Sequence, residues 1–300
     1  MLSDETDKEG RFSPTGEAVR LRRMTLADIP LGMRLKALAG WNQTATDWQL
    51  LLDAGMGWVA AYGGVDAGTA TLVTYGDAFS WIGMVLVDPA YRRRGIGTAL
   101  LRTALAEAQR HGVPRLDATP QGQPLYEGLG FRNEYRLSRM MRPIGGIVVP
   151  DAVAVEGSAA PLTLDRIGDV LRLDVPVFGA DRRLILEALR MQAPRYARCW
   201  LVGDHVRGYC LGRSGSRCEQ IGPIVAESVD VATALLAETL KACAQRPVII
   251  DAPDDKADWG SRLRSLGFSV QRSFSRMALS DRQLPGDPAR TFAIAGPAFG

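Results

Sequence analysis

Apolar and polar residues change their period several times along the chain, and each change marks an element. Val19–Met24 reads as a strand, and Thr25-Leu26-Ala27-Asp28 offers a helix start. Ile29–Leu38 and Asp47–Ala54 carry apolar residues at helical spacing, separated by Gly40-Trp41-Asn42-Gln43-Thr44. Trp58–Tyr62 and Gly68–Tyr75 predict two strands around the turn Gly63-Gly64-Val65-Asp66. Ser80–Val87 is a continuous apolar, β-branched and aromatic run ending at Asp88-Pro89, the pattern of a buried strand. Ile96–Arg110 sets Ile96, Leu100, Ala104 and Ala108 on one helical face, with Gly112 and Pro114 past its end. Val113–Thr119 predicts a further strand, Leu125–Leu129 a short helix ending at Gly130, and Tyr135–Met141 a last strand.

The second half repeats this order weakly. Leu129-Gly130-Phe131 and Ser138-Arg139-Met140 recur as Leu266-Gly267-Phe268 and Ser275-Arg276-Met277, a shift of 137. Ile82-Gly83 recurs as Ile221-Gly222, and Leu116-Asp117-Ala118 as Ile250-Asp251-Ala252, at shifts of 139 and 134. A near-common shift at separated places predicts a duplicated fold. The expected organisation is a flexible polar lead-in (1–18), a first domain (19–142), a linker (143–160), a second domain (161–280) and an irregular tail (281–300).

Between strand and helix in the first half lies Arg92-Arg93-Arg94-Gly95-Ile96-Gly97. A glycine turn entering a helix leaves several backbone N–H groups unpaired and pointing one way, at the positive end of the helix dipole. With three arginines beside it, this suits a phosphate or pyrophosphate, though a bare G-x-G is equally an ordinary strand–helix connection with surface arginines. It is neither a dinucleotide fingerprint, which needs a third glycine, nor a nucleoside-triphosphate loop, which needs Gly-Lys-Ser/Thr. The whole run, V-x-V-D-P-x-Y-R-x-R-G-I-G-T-x-L-L, closely resembles the acyl-CoA pyrophosphate motif of the GNAT acetyltransferase superfamily. Arg92, Gly95 and Gly97 fill its fixed positions. The segments GWNQT (Gly40–Thr44) and VFGADR (Val177–Arg182) resemble markers of a tandem-GNAT subfamily.

The resemblance implies an α/β (α+β) fold of two GNAT-like domains, each a mixed, mostly antiparallel sheet flanked by helices. It implies acetyl-CoA bound by Val85, Leu86, Val87, Arg92, Arg93, Arg94, Gly95, Ile96, Gly97 and Thr98, with the Leu86 or Val87 amide on the acetyl carbonyl. Leu125-Tyr126-Glu127-Gly128-Leu129-Gly130-Phe131 matches the family's L-Y-x-x-x-G-F segment, making Tyr126 the catalytic group for the leaving thiolate. The family's frequent asparagine seven residues earlier is Thr119 here, which leaves contacts at the acyl arm open. The second half has Ala226-Glu227-Ser228-Val229-Asp230 in place of the cradle, four residues shorter, and Leu263 in place of the tyrosine. One acetyl-CoA per chain and a degenerate second domain are therefore expected.

On the acceptor side, Trp41, Asn42 and Gln43 offer an aromatic face and two amides to a small polar molecule. The same residues would also serve as a helix–helix turn with a packed tryptophan. Neither histidine is suggestively placed, and Asp77 and Asp117, the nearest carboxylates, are better explained as structural. No general base is assigned. The expected function is acetyl-CoA-dependent N-acetyl transfer to a small-molecule or protein amine by direct attack. The competing reading is a non-catalytic acyl-CoA sensor.

Composition adds limits. The 300 residues are 46% apolar and 23% charged, with a net charge of +3 and arginines scattered through both halves, so nucleic acid is not implied. No apolar run approaches the roughly 20 residues of a membrane span, so no membrane is expected, and a cytoplasmic location is. Cys199, Cys210, Cys218 and Cys243 lack metal-ligand spacing, so no metal is expected. A homodimer is possible on this reading.

Overall fold

The computed structural model describes residues 18–145, 155–243, 245–282 and 284–300. The expected flexible lead-in lies outside the described residues apart from Ala18, as does the middle of the expected linker, 146–154.

In the first repeat, β1 (Arg20–Arg23) leads into α1 (Ile29–Leu38) and α2 (Ala45–Asp53). β2 (Gly55–Tyr62), β3 (Val65–Tyr75) and β4 (Phe79–Val87) follow as a meander, then α3 (Ile96–Ala108), β5 (Val113–Ala118), α4 (Gln123–Glu127) and β6 (Arg132–Arg142). The second repeat runs β7 (Ser158–Pro161), α5 (Ile167–Phe178), α6 (Arg183–Gln192), β8 (Arg198–Val202), β9 (His205–Ser214), β10 (Glu219–Ala226), α7 (Val229–Leu240), β11 (Val248–Pro253), α8 (Ala257–Ser265) and β12 (Ser269–Ala278). A short β13 (Thr291–Ala293) closes the order. The duplication read from the sequence is thus present element for element.

The repeats share one sheet, in the order β1-β2-β3-β4-β5-β12-β6-β11-β10-β9-β8-β7. Each repeat has lent its last strand to the other. β12 lies between β5 and β6, and β6 lies between β12 and β11, all antiparallel. Reciprocal ion pairs seal the exchange. Arg139 on β6 grips Asp251 on β11 at 2.7 and 2.8 Å, and Arg276 on β12 grips Asp117 on β5 through Nε and Nη2, each at 2.9 Å. Both carboxylates are fully buried, so each bidentate arginine supplies what lost water would have supplied. These are the residues of the repeated Ser-Arg-Met and Leu-Asp-Ala segments, each arginine meeting the other repeat's aspartate.

α3 covers one face of the first repeat's sheet, burying Ile96, Leu100, Leu101, Ala104 and Ala108 against Ile82, Leu116 and Met277. The opposite face, with Trp81, Met84 and Leu86, joins α1 and α2 to α5 and α6 in a core common to both repeats.

Two expectations need correction. The last three residues of the expected linker, Ser158–Ala160, join Pro161 in an edge strand paired with β8. The tail expected to be irregular contains β13 and is largely interior, with Phe292, Ala293, Ile294, Ala295 and Phe299 all buried. Pro285, Gly286, Pro288, Gly296 and Pro297 erase any period, but the apolar residues between them fill the seam between repeats.

Candidate active site

Strand β4 is shaped to expose its backbone. It pairs with β5 only over Phe79–Trp81, in parallel, and beyond that point the two strands part. On its other side the ladder with β3 slips, Thr71 facing Gly83 but Thr69 facing Leu86, with Met84 held at a φ of +48°. After this bulge the alternation is regular. The Asp88 N–H bonds the Ala67 carbonyl at 2.8 Å, so the amides of residues 86 and 88 face β3. Those of Val85 and Val87 face the gap. Of the two amides expected for an acyl carbonyl, Val87 is therefore free and Leu86 is spent in the sheet.

The gap is a cavity of about 620 Å³ that gathers Val85, Leu86, Val87, Arg92, Tyr126, Trp41 and Gln43. Beside it the chain turns into α3. Arg93 takes a φ of +62° and Gly95, the residue before the helix, +79°. Such left-handed positions favour glycine and strain arginine. The first intrahelical bond runs from the Ala99 N–H to the Gly95 carbonyl at 2.9 Å, so the N–H groups of Ile96, Gly97 and Thr98 precede it and lack helical partners. A Cβ built on Gly95 meets nothing within 4 Å, and one on Gly97 only Val87 Cγ2 at 3.5 Å, so the approach is open. The arginines divide their duties. Arg92 lines the cavity, Arg93 is exposed, and Arg94 stacks on Tyr62 and Tyr91 at 5.0 and 5.4 Å, fixing the loop.

Tyr126 stands on α4 with its ring edge-to-face against Phe131, centroids 6.1 Å apart. Its hydroxyl makes no hydrogen bond among the described residues, and burial pushes its pKa up to about 12. It is a neutral donor without an acceptor. A Cβ on Gly122 would come within 3.0 Å of the tyrosine ring, so that glycine leaves the room Tyr126 occupies. Thr119, in the place of the family's asparagine, also lines the cavity, and its hydroxyl accepts from the Gly122 N–H at 3.3 Å.

The expected acceptor residues separate. Trp41 and Gln43 line the cavity, and the Gln43 Oε1 is buried without a partner. Asn42 does not line it. Its amide accepts from the N–H groups of Arg217 and Cys218 at 2.9 and 3.1 Å and donates to the Cys218 carbonyl at 3.0 Å, tying the repeats together. An amide reproduces a strand's donor–acceptor pair, and here that pair is met by backbone. Asp117 is bound to Arg276, and Asp77 lies in the exposed β3–β4 turn. Sequence reasoning missed Arg139, Arg272, Phe274, Pro297 and Ala298, which complete the far wall. Only the repeat of Arg139 as Arg276 hinted at a shared task.

A profile described as the acetyltransferase (GNAT) family matches residues 31–131, and one described as an acetyltransferase (GNAT) domain matches 170–293, together about three quarters of the chain. The chain belongs to the GNAT acetyltransferases. This GNAT chain is 27% identical over 187 residues to the uncharacterized N-acetyltransferase YitH of Bacillus subtilis, covering 62% of the chain and 65% of that protein. It is 28% identical over 201 residues to holothin acyltransferase of a Pseudoalteromonas species, covering 67% of the chain and 66% of that protein. It thus spans just under two thirds of either relative's length. A crystal structure of a Pyrococcus horikoshii protein assigned as an acetyltransferase superposes with a TM-score of 0.77 at 25% identity, covering 100% of this chain and 99% of that one.

The second GNAT repeat keeps the architecture of the site but fills it. β10 shows the same bulge as β4, between Ile221 and Ile224, and pairs with β11 only over Glu219–Ile221. Its freed edge is taken by β13, with Ala293 against Ile224 and Thr291 against Val225. At the repeat shift of 139 these two residues correspond to Val85 and Leu86. The start of α7 is capped by its own Ser228, whose hydroxyl accepts from the Val231 N–H at 3.3 Å, and Glu227 pairs with Arg207 at 3.1 Å. The tail lies where an extended ligand would lie.

Proposed function

We propose that this GNAT protein is an acetyl-CoA-dependent N-acetyltransferase that uses its first repeat, residues 19–142, and keeps the second, 161–280, as a degenerate scaffold. The carrying observation is that one cavity unites the outward Val87 amide, the Tyr126 phenol and Arg92 beside an uncapped glycine-rich helix start. Unpaired N–H groups and an open approach at Gly95 and Gly97 suit a pyrophosphate, so the residues fit the cosubstrate. The freed β4 edge would pair with an amide-bearing arm as one strand pairs with another.

Bound acetyl-CoA would supply a thioester whose acyl carbon takes the amine, the C–N bond forming as the C–S bond breaks. The Val87 N–H is placed to stabilise negative charge developing on the acyl oxygen. Tyr126 donates its hydroxyl hydrogen to the departing sulfur. With its pKa near 12 it holds that proton and works as a hydrogen-bond donor. The Gln43 Oε1, unpartnered and buried, suits an acceptor N–H, and Trp41 closes the same wall. No described carboxylate in this cavity is free to act as base, since Asp117 is bound to Arg276. Deprotonation then falls to water. That is adequate for an α-amine, neutral in roughly one molecule in ten at pH 7, and poor for a lysine-like amine, neutral in about one in 2,500.

Release of free thiol from acetyl-CoA across an amine panel tests the reading. Turnover with at least one small amine is expected. Tight acetyl-CoA binding without turnover on any amine would favour the non-catalytic sensor instead.

A further inference from the structure

We propose that the acceptor amine carries a carboxylate, and that Arg272 is the residue that reads it. The inference rests on the acetyltransferase reading of this cavity and names the substrate class it takes.

Position comes first. β5 ends at Ala118, so the strands on either side of it face each other across the cavity. Arg272 stands on β12 three residues before Ser275, where the pairing of β12 with β5 begins, and is paired with Arg139 on β6. Arg272 lines the same cavity as the free Val87 amide, together with Phe274 and Arg139.

Its chemistry is unfinished. The three cations lining the cavity are Arg92, Arg139 and Arg272. Arg139 is neutralised by Asp251, and Arg92 lies at the cradle end. Arg272 has no ion pair and no hydrogen bond among the described residues. Its Nε is buried with no acceptor, and its guanidinium lies over the Phe274 ring, 5.4 Å from the centroid. Burial and the neighbouring Arg139 lower its guanidinium to about 10, which leaves it charged near neutral pH. A cation placed beside another and denied water on its Nε is costly unless an anion meets it. A carboxylate meeting Nε and one terminal nitrogen side-on is the geometry an arginine accepts best. Exposed Arg217, on the adjoining recess with Arg139 and Arg272, adds to the same positive field. At the amine end the counterpart is Gln43, an unpartnered acceptor. A donor-only group and a free acceptor in one cavity describe a molecule with a carboxylate and an amine.

The test uses full-length protein saturated with acetyl-CoA and three matched sets of acceptors: amino acids, their primary amides and the corresponding decarboxylated amines. Wild type should favour the carboxylate forms by about tenfold or more in kcat/KM. Arg272→Gln should cut turnover of the carboxylate forms by about ten- to a hundredfold, mainly through KM. It should leave the amides within about twofold and the acetyl-CoA KM unchanged, and Arg272→Lys should restore part of the preference. The inference is overturned if wild type turns over the neutral forms as well as the acids, or if Arg272→Gln lowers both alike. If no amine releases thiol, the enzyme reading fails separately. Calorimetric titration of the amino acids into the CoA-bound protein then decides the role of Arg272: binding lost in Arg272→Gln upholds it, and no binding to wild type overturns it.

Discussion

Replacing Tyr126 by phenylalanine removes one hydroxyl that makes no hydrogen bond among the described residues, so the fold should be indifferent and the chemistry should not. A thiol has a pKa of about 8.5, and the phenol is held near 12 by burial. Full proton transfer to the thiolate would thus run about 3.5 units uphill, about 4.8 kcal/mol at about 1.36 kcal/mol per unit. A hydrogen bond to the charged sulfur stabilises by about 1.5–3 kcal/mol instead, worth about ten- to 150-fold in rate. Tyr126→Phe should lower kcat by that factor and leave acetyl-CoA affinity within about twofold, because the bond matters mainly in the transition state. The sign of the pH effect follows. The donor form of a phenol is the protonated one, so a raised pKa preserves it as pH rises. Wild-type kcat should show no loss from tyrosine ionisation up to about pH 11. Single-turnover thiol release, followed in both proteins across pH, is the measurement. An unchanged rate in the phenylalanine protein refutes the role, as does a wild-type fall near pH 10 that the substitution abolishes.

The remaining predictions concern binding and stability. Gly97→Glu should keep the fold, since a Cβ there meets only Val87 Cγ2 at 3.5 Å, yet abolish acetyl-CoA binding; calorimetry should give one site in wild type and none in the variant. Half the capacity surviving would show that the second repeat binds despite β13. Asn42→Ala removes three hydrogen bonds to buried or half-buried backbone and should destabilise by about 2–4 kcal/mol in denaturant melts without changing acceptor KM. Trp41→Ala should raise the amine KM more than the acetyl-CoA KM; equal movement of both would place Trp41 outside the acceptor site. Arg139→Met leaves Asp251 buried without its main partner and should cost about 3–5 kcal/mol, much of it recovered in the double variant with Asp251→Leu.

What was legible from the chain, and what was not, follows from the range of each signal. Apolar period and turn residues act locally, so α1 and the buried strand ending at Val87 are found where the pattern puts them, and α3 starts where expected and ends two residues earlier. The glycine turn into the α3 start was legible because the helix start, its glycines and its arginines are neighbours in sequence. Partnership across the sheet is a different kind of information. The pattern of Tyr135–Met141 says that a strand is buried but not which strands flank it. The exchange of β6 and β12 therefore left only one trace, a repeated arginine and a repeated aspartate whose crosswise pairing no spacing reveals. Asn42 was misplaced for a related reason, since its amide satisfies a ligand or a backbone equally well. Arg272 carries no motif, and only the missing partner in three dimensions sets it apart.

The exchanged strands also bear on how this protein can come apart. Neither repeat, cut out at residues 143–160, would keep its own last strand in its own sheet, so neither should be expected to fold alone. Melting should be a single cooperative event in which both repeats are lost together. Proteolysis of the connection between β6 and β7 should leave two fragments that stay associated under native conditions, clasped by the Arg139–Asp251 and Arg276–Asp117 pairs. The repeat that lost its own pocket is thereby retained as half of the other's framework.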